Sequence, residues 1–557
     1  MRRFLLLSAA LGLATADVHH YQGSVVAPPV LIYHVGGQYA PEDAPASYPP
    51  GNGRSFIKFS DLKFTRQKRV CTKEDDFCPG DAQYKDTAAM DVAILEHRHY
   101  GKVGVKMDNE ATYYCCTERA ISVGACNTTH LGHMLCSTPS GKCETEDGLM
   151  MVAQVTLPPL IREENSTAPT EAVFETTSKY PVTKTGYYYL FMSACDRDAG
   201  EVVVHGQTVW MNPWGYLPGT EWGNLPFFGS MAIIYLFIGL VWTVLMFRFM
   251  QELIAVQFWI SLVLLLAMIE TAAKYFAYDE WNMSGSQHLG GMMFALLVGI
   301  SKQALSRVLV LMVSTGYGIV KPSLGDMLYG MLALGGLYFI FALGQGLMVK
   351  LPAGDATIGS SSWAYSSFLF LIILVQSTID VTFYAWILQE LTNTIQYLKQ
   401  RRQEIKLKLF RRFRAVLILS AVFSVAWAIT TVALVRTKDR EQEHWKIQWA
   451  LDAVWEVCYL VIFIGMCILW RPSANSQRYM YSVQLGTEED PFDDDEGTGV
   501  GLEESAWLTT SIHTDWDVKV GIEEVVVDKG EEDDEEYGGA MQDLLPSLNG
   551  STPGKLM

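Results

Sequence analysis

Glu270 and Lys274 stand four residues apart in an otherwise apolar stretch of the chain, and Asp452 and Glu456 do the same in another. A spacing of four places each pair on one face of a helix. Lys302, Arg307 and Asp380 interrupt two further apolar stretches. Charged groups in lipid are costly, so each is a candidate for an ion or ligand pathway, weighed against a purely structural ion pair. With about 1.5 Å of rise per residue, Glu270 falls roughly 8 Å to one side of the midplane, with Lys274 a turn further out. Lys302 lies near the midplane, and Arg307 and Asp380 share a depth beyond it. The expected pairs are Arg307 with Asp380 and Lys302 with Glu456. Glu270, Asp452 and Glu456 set against one lysine leave surplus negative charge, which would favour a cation.

Other chemistries find little support. The chain has no HExxH, no nucleophile elbow, no phosphate-cradling glycine loop, and essentially no histidine in its apolar stretches for an intramembrane zinc site. No catalytic residue, cofactor or metal site is therefore expected. An amine-terminal Asp17-Val18-His19 offers a copper(II) chelate through its third-position imidazole, against the plainer reading of an inert histidine. A rhodopsin-like receptor would carry Asp-Arg-Tyr after the third apolar stretch, but Ser314-Thr315-Gly316-Tyr317 stands there. The seventh stretch lacks both Asn-Pro-x-x-Tyr and a central lysine for retinal.

The elements that must position these charges are membrane spans. Half of the 557 residues are hydrophobic and only 18% are charged. Seven apolar stretches of spanning length follow Pro226, at 227–247, 254–276, 288–313, 324–349, 363–388, 413–435 and 447–470. Ahead of them, Arg2 and Arg3, the apolar run Phe4 to Leu13 and Ala14-Thr15-Ala16 read as a cleavable secretory signal over residues 1–16. Ten apolar residues span only about 15 Å, too short for a bilayer. A translocated amino terminus and seven spans put the carboxyl terminus in the cytosol. The segment 399–414 agrees: Lys399, Arg401, Arg402, Lys406, Lys408, Arg411, Arg412 and Arg414 face a single Glu404, a cytosolic marker on this topology. The same segment can also meet anionic headgroups.

Residues 17–225 should form a luminal β-sandwich, from short β-type runs such as 150–157, 186–192 and 201–210 broken by Pro, Gly and Asn. Cys71, Cys78, Cys115, Cys116, Cys126, Cys136, Cys143 and Cys195 fall in this part. An even set delivered to an oxidising lumen reads as disulfides rather than a metal site, with the vicinal Cys115 and Cys116 taking different partners. Seven of them mark residues 71–143 as a stapled, loop-rich insertion. Cys458 and Cys467 sit in the last span and read as packing residues. Asn127, Asn165 and Asn282 begin luminal sequons, whereas Asn549 falls in the cytosol.

The net charge of −18 belongs to the tail: Thr487 to Leu545 holds 21 Asp and Glu against Lys519 and Lys529, leaving the remainder near neutral. Residues 472–557 are expected to be a disordered acidic tail. No basic face with interleaved aromatics suggests a nucleic-acid partner.

Specific strings resemble the GOLD-domain seven-transmembrane family, also called lung-type seven-transmembrane receptor-like, and within it the transmembrane protein 87 branch. They are Gln257-Phe-Trp-Ile260 with Glu270 behind it, SRVLVLMVSTGYGIVKP from Ser306 to Pro322, and WRPSANSQRYMYS from Trp470 to Ser482. The likeness covers about residues 180–490, reaching the sandwich through Tyr187 to Cys195 and Asn212-Pro-Trp-Gly-Tyr216, and leaves the cysteine-rich insertion and the tail outside. The resemblance implies a GOLD-type sandwich on a seven-helix bundle (residues 226–471), Golgi residence with endosomes and the plasma membrane as further stations, and no enzymatic activity. It further implies a role in secretory or endosome-to-Golgi protein trafficking, with luminal cargo, cytosolic sorting adaptors and lipid in a lateral cavity as partners. A cation channel, or regulation of a mechanosensitive conductance, is the alternative it implies.

Overall fold

The computed structural model describes residues 18–26, 32–48, 51–67, 85, 87–107, 112–137, 150–159, 172–174, 179–320, 324–350, 362–436 and 445–474. The signal peptide, the acidic tail, Cys71, Cys78, Cys143 and Asn165 lie outside these residues.

Strand-forming runs rich in Val, Ile, Phe and Tyr build the amino-terminal half. One sheet joins β1 (Val18–Val26), β11 (Glu201–Met211), β3 (Phe56–Gln67) and β8 (Ala172–Phe174) in that order, with β9 (Tyr180–Pro181) also on β3. The second runs β2 (Ile32–Gln38), β10 (Gly186–Ser193), β4 (Ala88–Glu96), β7 (Met150–Leu157), and the short strands β5 (Val105–Lys106) and β6 (Thr112–Tyr113) pair separately. All of these pairings are antiparallel. Ile57, Phe59, Val92, Ile94, Leu190, Val204 and Trp210 fill the space between the sheets.

Strand β10 is apolar on both faces, which a sheet wet on one side does not need. Its Tyr188, Leu190 and Met192 enter the inter-sheet core. Tyr189 and Phe191 point the other way, into a second cluster with Val103, Met134, Cys136 and Cys195. The cysteine-bearing segment therefore covers the outer face of the second sheet. Disulfide Cys115–Cys195 ties it to the end of β10, and Cys116–Cys126 closes a short loop within it. The vicinal cysteines take different partners, and Cys136 is also disulfide-bonded. Cys458 and Cys467 are free thiols.

His19 is no terminal chelator. It lies in β1 opposite Thr208, and its ring stacks on His34 of β2 with centroids 4.1 Å apart. Burial first, and repulsion from His34 and His20 after it, hold its pKa well below the usual imidazole range.

Among the described residues, seven helices long and apolar enough to cross a membrane follow. They are α1 (Asn224–Arg248), α2 (Ala255–Ser284), α3 (Leu289–Ser314), α4 (Met327–Lys350), α5 (Ser362–Gln400), α6 (Glu404–Arg436) and α7 (Gln448–Leu469). Helix α1 packs on α2 and α7, α3 on α2, α4 and α5, and α6 on α5 and α7. The basic segment 399–414 is not a loop. Residues 401–403 make the turn, with Arg402 at φ 52°, and the remaining cations ride on α5 and the first turns of α6. Lys and Arg are good helix formers, so the helices run on past their apolar spans.

The twelve residues between β11 and α1 help dock the β domain on the bundle, and glycines inside and outside them leave room for aromatic rings: a Cβ on Gly219 would stand 2.7 Å from the Trp445 ring. Trp445, just before α7, lies where a Cβ on Gly37 would come within 2.4 Å of its ring. Tyr39 meets the same indole edge-on at 5.1 Å. Asn282 near the end of α2 donates to Trp214 O at 3.1 Å and accepts from Leu217 N at 3.2 Å. At 3% exposure it has no room for a glycan, which corrects the expectation at this sequon. Asn127 is exposed.

Candidate functional site

Four of the seven intramembrane charges close into one ring. Lys274 Nζ lies 2.8 Å from Glu270 Oε1 and 2.8 Å from Glu456 Oε1. Lys302 Nζ lies 2.6 Å from Glu270 Oε2 and 3.2 Å from Glu456 Oε2. Each carboxylate bridges both ammoniums, so charge alternates around the ring and cancels. Helices α2, α3 and α7 supply it, and the four-residue spacing of Glu270 and Lys274 places both on the inner face of α2. Glu456 receives aligned hydrogen bonds from both lysines. Glu270 pairs with both lysines through the 2.8 and 2.6 Å contacts.

The surroundings are largely buried and aromatic. Glu270 and Lys302 are each 1% exposed. The Lys302 ammonium sits 4.3 Å from the centre of the Tyr459 ring, and Lys274 sits 4.9 Å from that of Phe228. Ser306 Oγ lies 2.6 Å from Tyr459 Oη. A Cβ on Gly299 would stand 2.6 Å from Glu270 Oε1, so this glycine makes room for the carboxylate. Tyr459, Phe228, Ser306 and Gly299 are the residues that sequence reasoning missed. The only signal for them was helical spacing: Gly299 lies three residues before Lys302, and Tyr459 three after Glu456.

Arg307 and Asp380 form a separate pair at 2.8 Å, each about one third exposed, with the guanidinium 4.0 Å from the Tyr338 ring centre. Both expected pairings are thus present. The expected surplus of negative charge is not. Lys302 reaches the level of the carboxylates, so two ammoniums meet two carboxylates, and Asp452 stands at an exposed position one turn away from Glu456, outside the ring.

Lys302 and Glu456 also border a cavity of about 660 Å³ between α3, α5, α6 and α7. Arg307, Asp380 and Ser306 complete its polar side; Phe383, Ile387 and Leu417 form an apolar wall. The lining residues Tyr384, Leu388, Ile418 and Val422 are 42–61% exposed, so the cavity opens sideways through the flank of the bundle.

The GOST seven-transmembrane domain matches residues 223–477, which include the whole ring and this cavity. The PTM1-like amino-terminal domain matches residues 70–204. The chain is thus similar to the GOLD-domain seven-transmembrane proteins, transmembrane protein 87 and PTM1 among them. Transmembrane protein 87B of Mus musculus is 33% identical over 301 residues, covering 54% of this chain and 52% of that protein. Transmembrane protein 87A of Homo sapiens is 34% identical over 278 residues, 50% and 48% of the two chains. Membrane protein PTM1 of Saccharomyces cerevisiae (strain YJM789) is 24% identical over 469 residues, 81% and 80% of the two chains. The match thus spans about half the length of the transmembrane protein 87 relatives. Within the family, the cysteine-bearing segment is part of a shared amino-terminal domain, which corrects the expectation that the resemblance stops at residue 180.

Proposed function

We propose that this protein is a non-catalytic receptor of the secretory pathway, resident in the Golgi membrane, that acts in protein trafficking and takes an amphipathic lipid or lipid-bearing cargo into the cavity between α3, α5, α6 and α7. The observation that carries this reading is the cavity's composition. An ion-paired polar side suits a headgroup, an apolar wall suits an acyl chain, and the open flank gives entry from the bilayer. In this reading the β domain is luminal and contacts cargo or a partner protein, and the acidic tail offers its charge to cytosolic adaptors. A cation conductance is less well supported, because both buried carboxylates are already neutralised by lysines.

Filling the cavity tests the proposal. Ala421→Trp places an indole among its lining residues. Protein purified from cells should carry acyl lipid by mass spectrometry, the variant should carry much less, and the variant should fail to restore cargo delivery in cells lacking the protein. Lipid-free wild type, together with a fully functional variant, would sink this reading.

A further inference from the structure

A second cavity, of about 520 Å³, lies at the end of the bundle away from the β domain, where α2 and α6 begin and α7 ends. Four of its lining residues are cations: Lys406, Lys408 and Arg412 of α6, and Arg471 just after α7. No carboxylate lines it among the described residues, and none of the four cations is ion-paired among them. Lys406 is 5% exposed, and its ammonium donates only to a neutral acceptor, the Ile319 carbonyl at 3.2 Å. A buried ammonium without a counter-charge is unfavourable and is relieved by an anion. Trp470 borders the same cavity at 4% exposure, with its ring packed against Phe410 and Phe413.

The remaining wall is mostly hydrocarbon. Ile254, Ile319, Leu409 and Leu469 line the cavity beside the polar Gln257 and Ser473, and Ile468 at its edge is 65% exposed on the lipid-facing flank. A free anion or an acidic peptide has no use for such a wall, whereas a phospholipid satisfies both parts at once. We infer that this cavity is a binding site for an anionic phospholipid, with a phosphate-bearing headgroup held by Lys406, Lys408, Arg412 and Arg471, and acyl chains lying along Ile254 and Ile468. Headgroup recognition by basic pockets between membrane helices follows the same physics. The site is separate from the ring and from the cavity beside it, so it stands whatever occupies that cavity.

The test uses the purified full-length protein in detergent micelles, titrated with short-chain phosphatidylinositol monophosphate, short-chain phosphatidylcholine or soluble inositol phosphate, and read by native mass spectrometry and thermal stabilisation. The anionic lipid should bind at least about tenfold more tightly than phosphatidylcholine. Lys408 and Arg412 are exposed, so Lys408→Ala with Arg412→Ala should leave folding intact and weaken anionic-lipid binding about thirtyfold. Lys399→Ala with Arg401→Ala, outside the cavity, should change nothing. Equal loss in this control pair would reduce the effect to a diffuse basic surface and overturn the site. Equal binding of inositol phosphate would make the ligand a soluble anion, and lipid binding seen only after truncation at Gly486 would make the acidic tail the occupant; either result overturns the lipid assignment.

Discussion

Removing one charge from the buried ring should cost far more than removing two of opposite sign. Glu270→Gln leaves two ammoniums facing Glu456 alone, and Lys302→Met leaves two carboxylates sharing Lys274. At the 2.6 Å separation of Lys302 and Glu270, with an effective dielectric near 20, their attraction is about 6 kcal/mol. Desolvation of each ion, several kcal/mol, offsets most of this in the intact ring, but in a single variant the surviving partner keeps its desolvation cost without compensation. Each single variant should therefore lose about 3 kcal/mol. The double variant keeps the neutral Lys274–Glu456 pair, whose 2.8 Å contact does not depend on the missing groups, and should lose no more than either single variant. The cycle then shows a coupling of about 3 kcal/mol. Unfolding in mixed micelles, followed by tryptophan fluorescence and circular dichroism, measures all four proteins. Additive losses, or single variants within about 1 kcal/mol of wild type, would refute a closed, mutually neutralising ring.

Docking of the β domain should fail when Trp445 is truncated: Trp445→Ala removes a ring that is 3% exposed and should weaken the domain contact by about 3 kcal/mol, read as faster protease cleavage between residues 212 and 223, and unchanged cleavage would contradict the role given to this indole. The β domain should also lose stability in acid. Burial lowers the His34 pKa to about 4, below its unfolded value near 6.5, so the unfolded chain binds more protons between these values. Stability is complete above pH about 6.5 and falls as the pH drops toward 4, by on the order of 2 kcal/mol for His34. His34→Gln should flatten that decline in denaturant titrations at pH 7 and pH 5, and an unchanged slope would remove His34 as its cause.

The sequence by itself determined the elements. Spanning length is a property of local hydropathy, so seven helices were legible, and so was the sandwich, because strand runs and turn residues are local signals. The pairing of Arg307 with Asp380 followed from their shared depth along the helices, since rise per residue is fixed, and that of Lys302 with Glu456 from the reach of a long lysine side chain. Tertiary structure alone decided charge balance. Depth does not say which way a helix faces, and only the packing of α2, α3 and α7 turned Glu270, Lys274, Lys302 and Glu456 toward one another while leaving Asp452 outside. The same holds for Asn282, which reads as a glycan acceptor in sequence and is a buried clasp in the fold. It holds again for the basic segment. Its charge was plain in the chain, but four cations with no ion pair among the described residues and a mostly apolar wall meet only where the ends of three helices close around a cavity.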